Sequence, residues 1–175
     1  LGCLSPQYIS EHALKFVNMV GDADETFPKH KLYRALGVNL VLCPPLQQHQ
    51  MEVLNEVWSV VTAIEDPAAY MEVAEVFIEY PVKHCSLADV DRMLGDILAH
   101  VANDERSYEA LFPQLASVVS KILAHIRDFT ALFGLANFMP LIDLFDGEAA
   151  VEVARNVLST FAKYQRPAFD PVIVN

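Results

Sequence analysis

The residue types most able to do chemistry in this chain are its six histidines and three cysteines. Zinc peptidases place ligands in His-Glu-x-x-His, and di-iron bundles need Glu-x-x-His on two helices, but neither spacing occurs here. His84 and Cys85 are the only adjacent pair of soft ligands, and no Cys-x-x-Cys accompanies them. The spacing therefore predicts no metal site, and we interpret Cys85 as a small buried residue at a helix junction.

The remaining motifs do not form a binding loop or an active site. Asp22 opens a stretch that begins like a calcium loop, but Phe27 takes the glycine position and Tyr33 the position of the bidentate glutamate. No glycine-rich phosphate loop and no Gly-x-Ser-x-Gly turn occurs in the sequence. We therefore predict a non-enzyme without cofactor or metal, leaving open a triad built from distant helices.

Charged residues are distributed unevenly along the chain. No lysine or arginine occurs between Arg34 and Lys83, while seven acidic residues do. Among these, Glu72, Glu75 and Glu79 are spaced to share one helix face, opposite an apolar stripe. Two interpretations remain open for this acidic face: an ordinary solvated helix surface, or an electronegative surface that binds a basic partner.

Two other features have plainer interpretations. Lys29, His30, Lys31 and Arg34 form a basic cluster that is too small for an anionic membrane site and is interpreted as a solvated face. Trp58 lies within a full apolar stripe, which indicates core packing rather than a ligand platform.

The elements that would position these side chains are helices. Proline, glycine and capping residues separate segments whose apolar residues repeat at helical spacing. Ser5 and Asp66 are predicted N-caps, and the helix that begins at Pro67 is predicted to end before Pro81. Residues 128–145 are expected to form short helices packed through their phenylalanines. No alternating run of apolar residues indicates a strand.

The predicted helix starts carry a second period. They fall near residues 6, 28, 45, 67, 86 and 113, so alternate starts are about 40 residues apart. Two helices in this interval are typical of HEAT-type solenoids, with a closed helical bundle as the alternative. The 53% hydrophobic content favours the solenoid, because middle repeats bury both faces. We predict residues 1–175 to be one continuous all-α segment of a longer α-solenoid, with about four HEAT-like helical hairpins.

Composition excludes several classes of protein. The net charge of −11 is unsuited to nucleic acid, and three scattered cysteines favour a reducing compartment over a disulfide framework. The charge-free stretches fall short of the roughly 20 apolar residues that a membrane span needs. Because the chain opens without a basic n-region and closes on an apolar run, we expect an excerpt of a longer protein without a signal peptide.

Several segments make the sequence similar to a known family. The sequence resembles the vacuolar-protein-sorting thirty-five-like family, whose members are the large scaffold subunit of the retriever complex. The resemblance rests on residues 16–20 (FVNMV), 29–37 (KHKLYRALG), 76–85 (VFIEYPVKHC), 112–115 (FPQL) and 170–173 (DPVI).

The resemblance implies a function and a set of partners. It implies a long cytosolic HEAT-like scaffold without catalytic residues, which acts at the cytosolic face of endosomes in recycling membrane proteins to the cell surface. The implied partners are an arrestin-fold subunit toward the amino-terminal part, a phosphoesterase-fold subunit toward the carboxy-terminal part, and COMMD and coiled-coil proteins of the Commander assembly. Membrane association would be peripheral, through the complex only.

The resemblance also suggests where this chain lies in the longer protein, and two alternative functions remain open. We expect the chain to be a spacer from the middle of the family's sequence. A retromer-type large solenoid subunit is one alternative. A closed helical bundle that binds a small apolar ligand is the other.

Overall fold

The architecture is helical throughout the part of the chain that the structure describes. The computed structural model describes residues 5, 8, 11–22, 28–42, 48–84, 86–102, 108–126, 128–145 and 147–164, and no strand occurs among them. A 3₁₀ turn at Tyr108–Leu111 precedes the seventh helix. The helices are α1 (Ala13–Gly21), α2 (Lys29–Val41), α3 (Gln48–Val61), α4 (Pro67–Phe77), α5 (Glu79–Lys83), α6 (Leu87–Ala102), α7 (Phe112–His125), α8 (Phe129–Phe133), α9 (Phe138–Asp143) and α10 (Gly147–Tyr164).

Local capping explains why several helices begin where they do. The Ser5 hydroxyl accepts a hydrogen bond from the backbone N–H of Tyr8 at 3.2 Å. The Asp66 carboxylate accepts one from the N–H of Ala69 at 2.9 Å, at the start of α4. The predicted N-cap at Asp66 is therefore confirmed, and it satisfies a backbone donor that a helix start would leave unpaired. The Ser5 contact is of the kind that an N-cap makes, but the start of the helix that it would cap lies outside the described residues.

The region around Pro81 differs from the prediction. Helix α4 ends at Phe77, before Pro81 as predicted, but α5 follows at once and contains Pro81, so a short helix was missed. Pro81 is tolerated because it lies in the first turn of α5, where the backbone N–H has no partner within the helix. The Pro81 carbonyl in turn accepts a hydrogen bond from the N–H of Ser86 at 2.9 Å.

The helices pack in two layers. Helix α1 packs on α3 and α6 on α9 in one layer, while α2 packs on α4, α4 on α7 and α7 on α10 in the other. Side-chain hydrogen bonds join α3 to α6 and so continue the first layer. This succession, in which a helix packs on its equivalent in the next hairpin, is that of an all-α solenoid. That the whole of residues 1–175 is one segment of a longer solenoid stays a prediction.

The apolar stripes predicted from the sequence form one continuous core. Burying each large apolar side chain stabilises the fold by about 1.5–3 kcal/mol. Trp58 is 1% exposed, which confirms its predicted place in the core. Large side chains with almost no exposure include Trp58, Tyr70, Tyr80, Phe77 and Phe138.

The apolar region after α7 follows the prediction in part. Short helices do form there, and Phe138 and Phe145 are buried, whereas Phe133 is 56% exposed. The side chain of Phe129 lies outside the described residues. In the described part of the chain, no helix combines the length and the apolar character that crossing a bilayer requires.

Candidate interaction surface

The close packing of α2 against α4 creates the charged surface of interest. Gly37 on α2 lies directly over the ring of Phe77 on α4, and a Cβ atom there would come within 2.5 Å of the ring. The buried residues Tyr33, Leu36 and Leu40 line the same side of α2. This contact fixes the spacing of the two helices, and therefore the spacing of the polar side chains along their outer edges.

Along that edge the basic cluster of α2 faces the acidic face of α4. The His30 Nε2 atom lies 3.9 Å from a carboxylate oxygen of Glu72, and Arg34 Nη2 lies 3.8 Å from one of Glu75. Both distances exceed those of a charge-assisted hydrogen bond, so the pairs are loose. Glu72 and Arg34 are each 48% exposed at the side chain, and such exposed pairs contribute little to stability.

Glu79 is held much more firmly than the other two glutamates. Its carboxylate lies 2.8 Å from Lys83 Nζ and 3.6 Å from Lys121 Nζ on α7. Partial burial opposes ionisation of Glu79, but the hydrogen bonds and charges of the two lysines outweigh it and keep the pKa of Glu79 below its ordinary value. Glu79 therefore joins α5 to α7 and has a structural role.

A groove with a volume of about 540 Å³ lies beside these pairs, between α2, α4 and the start of α7. Gln114 contributes a buried side-chain amide oxygen that accepts no hydrogen bond from the described residues. On α7, Lys121 donates to the backbone carbonyl of Glu75. The lining residues are Lys31, Arg34, Glu72, Glu75, Pro113 and Gln114.

The predicted acidic face is therefore partly neutralised by neighbouring basic residues. Glu72, Glu75 and Glu79 do lie opposite the buried apolar stripe, but cations from α2, α5 and α7 approach them, which the sequence reasoning missed. The repeat of about 40 residues could have indicated these pairings, because contacts between neighbouring hairpins join residues separated by 36, 38 and 46 positions. Equivalent positions one repeat apart are therefore neighbours in space.

A second group of polar side chains lies inside the solenoid. Trp58 Nε1 on α3 donates a hydrogen bond of 2.7 Å to the carboxylate of Asp96 on α6. His100 stacks on Tyr70 with ring centroids 3.8 Å apart, and its Nε2 lies 3.1 Å from the Ile64 carbonyl. Burial, and then the negative charge of Asp96, raise the pKa of Tyr70. These bonds fix α3 and α4 against α6, so we assign the group to the fold.

The histidine, cysteine and carboxylate side chains were also compared with the requirements of a metal site. The described residues contain no group of these side chains that could hold a metal ion. Burial, and secondarily the charge of Lys83, lower the pKa of His84. Its neighbour Cys85 and residues 23–27 of the calcium-like stretch that begins at Asp22 lie outside the described residues.

Comparison with known proteins gives the family. The model of the VPS35L C-terminal domain matches residues 1–175. The chain belongs to the VPS35L C-terminal domain family. A Dictyostelium discoideum relative, "VPS35 endosomal protein sorting factor-like", is 42% identical over 171 residues, which are 97% of this chain and 17% of the relative. Mouse and human relatives, "VPS35 endosomal protein-sorting factor-like", are each 38% identical over 172 residues, 97% of this chain and 18% of theirs.

These matches confirm the resemblance and correct one detail of it. The chain spans less than a fifth of the length of these curated relatives. The family model describes the carboxy-terminal domain of VPS35L, so the expected position in the middle of the family's sequence is wrong. Position was misjudged because the apolar pattern of a helical repeat is alike along the whole of a solenoid.

Proposed function

We propose that this VPS35L C-terminal domain is a non-catalytic scaffold segment of an endosomal protein-sorting factor. The observation that carries the proposal is the family match over residues 1–175, together with relatives that are named as endosomal protein-sorting factors. The solenoid fits this role because stacked hairpins bury one another and leave long surfaces for partners.

The finer form of the proposal is a role in retriever. In it, the domain supports partner subunits at the cytosolic face of endosomes while membrane proteins are returned to the cell surface. The partners are an arrestin-fold subunit, a phosphoesterase-fold subunit, and COMMD and coiled-coil proteins of the Commander assembly. The family assignment to the C-terminal domain supports the phosphoesterase-fold subunit as this segment's own partner, since the resemblance implies that it binds toward the carboxy-terminal part.

Affinity purification tests this proposal. The full-length protein that contains these residues, and a version that lacks them, are purified from eukaryotic cytosol, and their partners are identified by mass spectrometry. We expect the full-length protein to recover all the proposed partner classes and the deletion to lose the phosphoesterase-fold subunit while keeping the arrestin-fold subunit. Recovery of none of these partners by the full-length protein would refute the retriever role, and recovery of a retromer set would favour that alternative.

A further inference from the structure

We propose that Thr62, in the turn between α3 and α4, is a phosphorylation site for an acidophilic serine/threonine kinase, and that its phosphorylation loosens this turn. Kinases of this class bind a carboxylate three residues after the hydroxyl that they modify, through basic side chains in their substrate site. Two hydroxyl residues in the sequence meet this requirement: Thr62 is followed by Glu65 at that distance, and Ser86 is followed by Asp89. Their surroundings in the structure are different.

The surroundings of Ser86 protect it from a kinase. Its hydroxyl donates a hydrogen bond to the carboxylate of Asp89, which is the group that the kinase would have to bind. Its backbone N–H donates to the Pro81 carbonyl at 2.9 Å, and its own carbonyl accepts from the N–H of Val90 at 3.0 Å. Ser86 is therefore held in place at the start of α6, and its phosphorylation requires that this helix start be broken.

Thr62 lies in a more accessible place. Helix α3 ends just before it, and residues 62–66 form a turn in which Thr62 is partly exposed and Glu65 is exposed. The Thr62 hydroxyl donates to the backbone carbonyl of Ser59 at 2.9 Å, so this contact does not involve the carboxylate that a kinase reads. Within the part of the chain that the structure describes, Glu65 forms no ion pair. Helix ends also open more readily than helix centres, which gives a kinase access to Thr62.

Exposure alone does not make a hydroxyl a substrate. Ser59 lies one turn earlier on α3 and is more exposed than Thr62, and its hydroxyl donates to the carbonyl of Glu56 at 2.7 Å. The residue three positions after Ser59 is Thr62, which carries no charge. Ser59 is therefore an internal control for recognition of the carboxylate.

The modification is a phosphoryl transfer from ATP. The Thr62 side-chain oxygen forms a bond to the γ-phosphorus, the bond between that phosphorus and the bridging oxygen of the β-phosphate breaks, ADP leaves, and the hydroxyl proton passes to the catalytic base of the kinase. Phosphothreonine carries a charge of about −1.5 to −2 at neutral pH. It also lacks the hydroxyl proton that Thr62 donates to the Ser59 carbonyl.

The added charge is unfavourable at this position. The carboxy-terminal end of a helix carries a partial negative charge, and Thr62 directly follows α3. Asp66, whose carboxylate caps α4 by accepting from the N–H of Ala69, is four residues further along the chain. A phosphate at a helix C-terminus and beside carboxylates destabilises the local structure by repulsion. Phosphorylation should therefore open the last turn of α3 and the turn that follows it.

Phosphorylation of the purified full-length protein tests the site independently of endosomal sorting. The protein is incubated with ATP and casein kinase 2, an acidophilic kinase, with casein as the control for kinase activity, and each phosphate is located by mass spectrometry. The variants are Glu65→Gln and the matched control Glu56→Gln, since Glu56 is an exposed glutamate on α3 that precedes Thr62. Both substitutions change the net charge equally, so recognition of the carboxylate at position 65 separates them.

We expect phosphate on Thr62 and none on Ser59 or Ser86. Glu65→Gln should slow phosphorylation of Thr62 by about tenfold, because a hydrogen-bonded charge is lost from the recognised site, and Glu56→Gln should leave the rate unchanged. The proposal is overturned if Thr62 in the folded protein receives no phosphate while casein does, if Ser86 is modified in its place, or if the two substitutions have equal effects.

Hydrogen exchange measures the effect of the phosphate on the turn. The N–H groups of Thr62, Ala63 and Ile64 donate to carbonyls in the last turn of α3, so their exchange reports opening of that turn. We expect these amides to exchange faster in the phosphorylated protein, and no change in the helix α6 amides around Ser86. Unchanged exchange at residues 62–64 after phosphorylation would contradict the proposed loosening.

Discussion

Replacing Gly37 with alanine tests the helix contact on which the charged surface depends. Helix propensity alone predicts that Gly37→Ala stabilises the protein by about 1 kcal/mol, since glycine is unfavourable inside a helix. The packing predicts that the substitution destabilises the protein, because the new Cβ would lie 2.5 Å and 2.7 Å from two ring carbons of Phe77. Ordinary carbon–carbon contacts are about 3.5–4.0 Å.

The magnitude follows from the surroundings of the ring. Phe77 is 1% exposed, and its ring centroid is 6.4 Å from that of the buried Trp58, so a shift of the ring would disturb the packing of the core. Such overpacking costs about 3 kcal/mol, at the upper end of the usual range. After the gain in helix propensity, we expect a net loss of about 2 kcal/mol in the free energy of unfolding.

Urea unfolding followed by circular dichroism measures this difference. Gly21→Ala at the end of α1 is the matched control, because a Cβ there would meet nothing within 4 Å, and it should not lower the unfolding midpoint. Replacing Phe77 with leucine in the Gly37→Ala background should recover part of the loss. If Gly37→Ala unfolds at the same or a higher urea concentration than the unmodified protein, the argument from close packing is wrong.

Three further predictions concern polar contacts, each measured by equilibrium unfolding. Asp96→Ala leaves the buried Trp58 N–H without its acceptor and should cost about 1–3 kcal/mol, whereas Asp96→Asn keeps an acceptor and should cost less. Folding lowers the pKa of Glu79, so its ionised carboxylate stabilises the folded protein above pH 4.5, its ordinary pKa, and this stabilisation is lost as the pH falls through the folded-state pKa. Glu79→Gln should therefore make stability less dependent on pH in the acid range. The pKa of His84 is also lowered in the folded protein, so the unfolded chain binds the proton more readily as the pH falls. The free energy of unfolding should therefore decrease below pH 6.5, and His84→Gln should remove this decrease.

The sequence predicted most of the helices but not the charged contacts between them. Asp66 and the apolar stripe of α4 depend on neighbours within a few positions, so local rules place them correctly. The pairing of Arg34 with Glu75, and of Lys121 with Glu79, depends on which helices pack together. The charges alone left the acidic face open between a solvated surface and a surface for a basic partner. Pro81 suggested a boundary because a proline in the first turn of a short helix leaves the same local signal as a helix stop.

The most direct test of the scaffold role is rescue of membrane-protein recycling. Cells that lack the full-length protein are complemented with it or with the version lacking these 175 residues, and surface proteins are quantified by biotinylation and mass spectrometry. We expect the full-length protein to restore the depleted surface proteins, and the deletion, expressed at the same level and still binding the proposed arrestin-fold subunit, to leave them depleted. Full restoration by the deletion would contradict the proposal that this solenoid segment is required for sorting.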